Sequence, residues 1–370
     1  MAQLAAEVLA DVGLEKDAVD GLVIAAGNVP ESPVFAPAAV SEHLGITASF
    51  NEIVDLGGAS PAGMVWRAAA AIELGICNTA LVLCPCVPPP DQPDLAGADA
   101  LTLLYTGGDN WGSAQSQFDI PAGCVAAVPS YALAAQRYRA QYGLDEEVLA
   151  KVAVQQRDNA QYNPDAIFCG KPISVAEVMQ SKTIADPIKL LEIVMPCAGG
   201  CALLITNAEG ARRAPYRPVW ITGYGEQLSH KSITNMPDFL RLPLVDAAER
   251  AFAMAGLERS DIDLACLYDS FTLTVLLTLE ASGFCGPGRG IDFIRERDLR
   301  FNGDWPLNTH GGQLSFGQPG LAGGLSHFAE AVRQIQGRAP MRAVADCNTA
   351  YCTGSGGMLS EQVAVILQGD

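Results

Sequence analysis

The chain of 370 residues contains no apolar run approaching the roughly 18 residues that a membrane span requires. Basic residues are scarce. With 23 Lys and Arg against 41 Asp and Glu, the formal net charge is -18. A protein that acidic repels phosphate backbones and anionic membrane surfaces, which argues against nucleic-acid binding; a phosphorylated small ligand would need only a local cluster of cations. Paired Cys-x-x-Cys knuckles are also missing. Cys84 and Cys86 flank one proline, and four residues separate Cys347 from Cys352, so no metal site is predicted. The eleven cysteines, an odd number without a legible signal peptide, read as free thiols in a reducing cytoplasm. Charged residues make up only 17% of the chain and apolar ones 49%, which allows a large core and excludes global disorder. The length accommodates two packed domains. The opening MAQLAAEVLADVG reads as an amphipathic helix, whereas an α/β domain usually opens on a strand, so a truncated start is expected.

What is present is, first, a repeat. LAAEVLADVGLEKDAVDGLVI (4–24) aligns without a gap on AAERAFAMAGLERSDIDLACL (247–267). Ala5, Ala10, Gly13, Leu14, Glu15 and Asp20 match Ala248, Ala253, Gly256, Leu257, Glu258 and Asp263. Each copy reads as a helix stopped by glycine, an acidic turn and a short apolar strand, at 21–25 or 264–268. Downstream, a helix over 68–76 leads to a strand at 79–83, and a helix over 328–337 leads to a strand predicted at 342–346. Helices alternating with β-branched runs imply two open sheets with helices on their faces. The stretch 88–194 differs. It opens within the proline-rich VPPPDQPD, carries a helix over 130–142, and reads as an inserted loop domain or lid.

Four polar or glycine-rich segments follow predicted strands, where open α/β folds place ligands. VDLGGASPAGMV (54–65) brings Gly57, Gly58 and Ser60 to a helix N-terminus with free N–H groups. LYDSFT (267–272) supplies Tyr268, Asp269 and Ser270, NTHGGQLSFGQPG (308–320) supplies Asn308, His310 and Gln318, and DCNTAYCTGSGGM (346–358) supplies Tyr351 and Cys352. Each also has a purely structural explanation: a glycine turn capped by Ser60, helix capping by Asp269 or Ser270, and a small buried thiol at Cys352.

Together these segments resemble the thiolase superfamily, in the branch near sterol-carrier-protein-type thiolases and thiolase-like lipid-transfer proteins. ISVAEVMQSKTIADPIKLLEI (173–193) and CAGGCALLITNAEGARR (197–213) add to the resemblance, which spans nearly the whole chain. It implies a five-layered α-β-α-β-α thiolase fold built from two duplicated α/β halves, one over 1–87 and 195–240 and the other over 241–370, with 88–194 inserted. It further implies a homodimer and acyl-coenzyme A chemistry with no cofactor beyond the coenzyme A of the substrate. In the family a cysteine at a helix N-terminus attacks the thioester, a Gly-His-Pro loop supplies its activating histidine, and a Cys-x-Gly loop moves the α-proton. Matched by position, the nucleophile falls at Gly58 and the activating histidine at Gln318, so covalent catalysis is lost. Cys352, His310, Tyr268 and Asn308 remain as the candidate catalytic set. Ser60, Asp269, Ser270, Tyr351, Lys171 and Lys182 are candidates for substrate binding, with Lys189, Arg212 and Arg213 as further cations for coenzyme A.

Three functions follow from that resemblance. The chain is a thiolase-type acyltransferase that works without an acyl-enzyme, a retro-aldolase-type C–C lyase on a β-hydroxyacyl-coenzyme A paired with a small OB-fold and zinc-ribbon protein, or a non-catalytic binding subunit.

Overall fold

The computed structural model describes residues 1–26, 35–86 and 113–370, so the proline-rich VPPPDQPD stretch lies outside the described residues. Within them, both copies of the repeat fold alike. Helix Ala2–Val12 ends on Gly13 at φ 69°, a 3-10 turn follows at Lys16–Ala18, and strand β1 (Gly21–Ala25) comes next. Helix Leu244–Ala255 ends on Gly256 at φ 66°, followed by the turn Arg259–Asp261 and strand β8 (Leu264–Cys266). Glycine stops both helices because it enters the left-handed region without a Cβ penalty.

The shared aspartates explain why the turn repeats. Asp20 accepts the backbone N–H groups of Asn78 and Thr79, each at 2.8 Å. Asp263 accepts those of Asn348 and Thr349, each at 2.9 Å. In each half one carboxylate pins the start of the neighbouring parallel strand, β3 (Thr79–Cys86) or β9 (Thr349–Gly356). The duplication therefore extends to the Asn-Thr pairs.

One sheet has the order β2-β1-β3-β6, with β2 at Phe50–Val54 and β6 at Gly199–Thr206. The other runs β7-β10-β9-β8, with β7 at Val219–Leu228 and β10 at Glu361–Gly369. β6 is antiparallel to β3 as β10 is to β9, while the counterpart of β2 has shrunk to a single parallel bridge between Ala265 and Leu307. The division at residue 240 needs correction: β7 lies within 195–240 but pairs with β10 in the second sheet.

Strand alternation builds the layers, since successive side chains point to opposite faces. Leu22, Ile24, Leu81 and Leu83 pack outward in one cluster with Ala5 and Leu9 of the first helix and Val40 of helix Ala36–Leu44. Val23, Ala25 and Val82 face inward and share a core with Val363 and Val365 of the second sheet. Helices Ser60–Glu73 and Ala322–Ile335 occupy that core. Beyond it, Ala364 and Ile366 pack on helices Leu244–Ala255 and Thr272–Ala281. The order is α-β-α-β-α, as expected. From the inserted segment, helices Val128–Tyr142 and Glu146–Ala160 join the second outer core through Tyr131, Tyr138, Val148 and Leu149.

The strand predicted at 342–346 is not formed. The 3-10 turn Pro340–Arg342 stands there instead, and β9 begins only at Thr349. Arg342 is held on Glu330 by two hydrogen bonds of 3.0 and 2.8 Å, and the Val344 N–H is held on Gln334 at 3.0 Å. Both partners lie on the preceding helix, so the segment is committed to that helix rather than to a strand. Tyr351 and Cys352 consequently stand inside a strand, not in a loop after one.

Candidate active site

Gly57, at φ 53°, and Gly58 make the turn into helix Ser60–Glu73. A Cβ on Gly58 would collide with the hydroxyl of Tyr268 and the carbonyl of Ser355, and would lie 2.8 Å from Tyr268 Cζ. The space in which a nucleophile at position 58 would begin is therefore filled by the tyrosine hydroxyl. Tyr268 reaches it from the end of β8, with its N–H donating to Thr353 Oγ1 at 3.0 Å. It is buried, and the positive end of the helix favours negative charge developing near its oxygen.

Asp269 follows, fully buried. One carboxylate oxygen accepts Gln313 N–H at 2.9 Å, the other Leu314 N–H at 3.1 Å, and His327 Nε2 lies 3.2 Å from Oδ1. Burial opposes charge on His327, but the bonds to Asp269 and the Cys266 thiol, with the Asp269 charge, hold its pKa up at about 9. The neighbouring His310 is 5.1 Å away between ring centroids and nearly perpendicular. Burial, followed by the charge on His327, pushes its pKa down to about 3. Its tautomer follows from Ser326. That hydroxyl donates to Gly323 O at 2.7 Å, so at its 3.0 Å contact with His310 Nε2 it accepts. His310 Nδ1 is thus a bare acceptor with no hydrogen-bond partner among the described residues.

The loop bearing His310 is fixed from three sides. Thr309 donates to Glu330 at 2.6 Å, Asn159 Nδ2 to Leu307 O at 3.0 Å, and Asn163 Nδ2 to His310 O at 3.0 Å. Burial alone would raise the Glu330 pKa, yet Arg342 and the other partners bring it below the usual carboxylate range.

The structure brings Gly58, Tyr268, Asp269, His310 and Gln318 around one polar cluster, and several of the other assignments need correction. Asn308, at φ 47°, spends both ends of its amide on the Leu267 backbone, accepting N–H at 2.8 Å and donating to the carbonyl at 2.9 Å; it is a strand substitute, not a free catalytic group. Cys352 lies in the core between the sheets, paired in register with Cys266, whose thiol is pushed well above its ordinary range by burial and by Cys352. Cys266 in turn bonds His327. Tyr351, one residue away, faces the opposite layer, where it bonds Ser282 at 2.8 Å and stacks on Phe252. Ser60 accepts Leu56 N–H at 2.9 Å, and Ser270 Oγ meets Thr274 Oγ1 at 3.3 Å, so both are local braces. Gln318 donates to Gly320 O at 2.7 Å.

The cations divide likewise. Lys189 is buried against Glu146 and so is not a free coenzyme A ligand, whereas Arg213, paired with Glu209, and Arg212, over Trp220, are exposed. Lys182 and Lys171 are exposed. Lys171 is tied near the cluster: its carbonyl accepts from Arg157, which also donates to Ser315 at 3.0 Å. Three residues of the site went unnoticed in the sequence: His327, Gln313 and Gln156. His327 and Gln156 stand within helices Ala322–Ile335 and Glu146–Ala160, Gln313 in the short helix Gly312–Ser315. The only signal was the polarity of fully buried positions. Among the described residues no metal-binding group of His, Cys, Asp or Glu occurs, and no helix is long and apolar enough to cross a membrane.

The geometry defines a thiolase fold whose nucleophile position is closed by a tyrosine. Comparison with known proteins agrees. Residues 225–369 match the thiolase C-terminal domain-like family. The chain is 33% identical over 370 residues to a steroid side-chain-cleaving aldolase of Thermomonospora curvata, covering 96% of this chain and 90% of that protein. It is 31% identical over 341 residues to the 17-hydroxy-3-oxo-4-pregnene-20-carboxyl-CoA lyase of Mycobacterium tuberculosis, covering 91% and 86%. The solved structure of the Ltp2-ChsH2(DUF35) aldolase superposes with a TM-score of 0.85 at 29% identity, over 100% of this chain and 93% of that one. The chain belongs to the thiolase superfamily, in its sterol-carrier-protein-type, thiolase-like branch.

Proposed function

We propose that this protein is a C–C lyase that cleaves a β-hydroxyacyl-coenzyme A thioester by retro-aldol chemistry, without an acyl-enzyme. The observation that carries the proposal is the Tyr268 hydroxyl filling the volume beside Gly58, which removes covalent catalysis and puts a proton-transfer group in its place. Two relatives that match over nearly the whole chain are a lyase and an aldolase, which favours this reading over acyl transfer.

In such a cleavage the β-hydroxyl gives up its proton, its oxygen becomes a carbonyl, and the Cα–Cβ bond breaks. The electron pair passes to the thioester enolate, and a proton returns to Cα. No proton is gained or lost overall, so one hydroxyl group can serve both ends. Tyr268 takes that role. His310, neutral and with Nδ1 bare, offers an acceptor to a second donor of the substrate, since the one proton of the β-hydroxyl passes to Tyr268. Its depressed pKa suits holding a hydrogen bond, not storing a proton. A small protein partner belongs to the proposal, because the superposed aldolase is an assembly of Ltp2 with ChsH2(DUF35).

The test is Tyr268→Phe, which keeps the ring and removes the hydroxyl. Cleavage of a β-hydroxyacyl-coenzyme A, followed by mass spectrometry of both products, is expected to slow by about 100-fold or more. An unchanged rate, or an acyl adduct mapped to residues 57–63, would overturn the mechanism.

A further inference from the structure

Seven buried side-chain nitrogen and oxygen atoms lack a hydrogen-bond partner among the described residues, and six of them belong to Gln156, His310, Gln313, Gln318 and His327. Each such orphan costs about 1–3 kcal/mol, so their concentration in one place calls for an explanation. Two are accounted for by the geometry itself. His327 Nε2 has both Asp269 Oδ1 and the amide nitrogen of Gln313 at 3.2 Å. Facing a carboxylate, Nε2 carries its hydrogen and cannot accept a second one from Gln313. The two ends of a glutamine amide have nearly the same shape, so its orientation follows from hydrogen-bond logic.

A half-turn of the Gln313 amide resolves the conflict and a second one with it. Its oxygen then shares the single His327 Nε2–H with Asp269 Oδ1, and its NH2 takes the place that Oε1 now holds beside Gly323. The orphan oxygens of Gln313 and Gln318 converge on the bare side of Gly323, the former 2.9 Å from where a Cβ would stand and the latter closer still. A donor facing the Gln318 oxygen, in place of a second acceptor, would satisfy both glutamines. Gln318 Nε2 already donates to Gly320 O, and the Gln318 backbone is bound to the segment 195–197 through Met195 O and Cys197 N, at 3.0 and 3.1 Å. With the amide so turned, a line of hydrogen bonds would run from Asp269 through His327, Gln313 and Gln318 to the backbone of the 317–320 loop.

The line is anchored at the reactive position at both ends. Asp269 is the residue after Tyr268, so whatever fixes its carboxylate fixes the backbone from which the tyrosine projects. At the other end, Gly323 receives the two glutamines while Gly324, the next residue, has the Gly58 carbonyl 3.2 Å from where its own Cβ would stand. We infer that His327 is a positioning residue of this site: held by Asp269, it orients Gln313, and Gln313 donates to Gln318 to hold the 317–320 loop against the Gly58 turn. The kinetic consequence rests on the proposed retro-aldol reaction; the wiring does not.

Hydrogen–deuterium exchange and steady-state kinetics separate the two. In Gln313→Ala, backbone exchange over 317–320 is expected to rise about tenfold while residues 363–367 of β10 stay as in the wild type. Gln313→Glu fills the same volume and keeps an acceptor for His327 but offers Gln318 no donor, so its 317–320 loop exchanges as fast as in Gln313→Ala. It gives the reading if Gln313→Ala does not fold. His327→Asn should loosen both 267–270 and 317–320. With a β-hydroxyacyl-coenzyme A, kcat falls up to about 100-fold while KM stays within about threefold, as expected of a misplaced group rather than a lost contact. Exchange over 317–320 within twofold of the wild type in both Gln313 variants overturns the inference. If the wild type cleaves no such substrate, the function proposed above fails and the exchange result still decides the wiring.

Discussion

The two halves begin alike and end differently. In each, an aspartate pins the start of a parallel strand, Asp20 on β3 and Asp263 on β9, and a helix is stopped by a left-handed glycine. At the opposite strand ends the resemblance stops. The first half presents backbone: two glycines, a helix N-terminus and one serine brace at Leu56. The second half presents side chains, Tyr268, Asp269, His310, Gln313 and His327, held by the buried pair of Glu330 and Arg342. Framework was kept in both copies, while functional groups collected in one. A surface that must approach a substrate closely is best made of glycine, and charged groups in a core require dense support.

The largest effect that would break this asymmetry is removal of that support. Arg342→Met leaves Glu330 buried without its cation and is expected to cost about 3–5 kcal/mol, whereas Ser60→Ala, removing the corresponding brace of the first half, costs about 1 kcal/mol. Urea titrations of both variants measure the difference. Equal losses would mean the halves are equally dependent on their loops.

Gly58→Cys is the next test. The new side chain meets Tyr268 and the Ser355 carbonyl, so the variant should lose about 1–3 kcal/mol and form no acyl-enzyme with acetyl-coenzyme A in intact-mass measurements. Adding Tyr268→Ala should return part of that stability, because the space is then vacated on the tyrosine side. A stable Gly58→Cys variant with Tyr268 intact would contradict the packing.

The smallest effect concerns Glu361, beside the Gly57 turn. Burial, reinforced by Asp55 and Glu226, raises its pKa to about 7. A carboxyl more easily protonated in the folded state than in the unfolded one favours folding at low pH. That contribution fades as pH rises through its folded pKa, and a penalty remains above it. Glu361→Gln should therefore gain about 1 kcal/mol at pH 8 and nothing at pH 4, after allowance for its partial exposure. Thermal melts at the two pH values check the sign.

How much was legible in the sequence follows the range of the forces involved. The repeat was readable because a helix, a left-handed glycine and an acidic turn are local events. Tyr268 facing Gly58 could be placed from the family resemblance, and the five layers followed from it. The register of β9 was not readable. Arg342 and Val344 are claimed by Glu330 and Gln334 across space, and no feature of the residues around Asp346 announces it. That displacement carried the misplacement of Tyr351, since adjacent strand residues cannot face one site. Asn308 was read as chemistry because an asparagine amide that mimics a strand neighbour looks the same in sequence as one that binds a ligand. His327 sits among Leu325 and Phe328 on a fully buried face, and only its partners reveal what it does.

The tyrosine hydroxyl in the place of a Gly58 side chain also constrains the history open to this protein. Two positions 210 residues apart in the chain share one volume, so neither can change freely while the other stays. A lineage acquiring a thiol at 58 would gain from a second change at Tyr268, so the two substitutions are expected to be coupled and together to cost less than the sum of each alone.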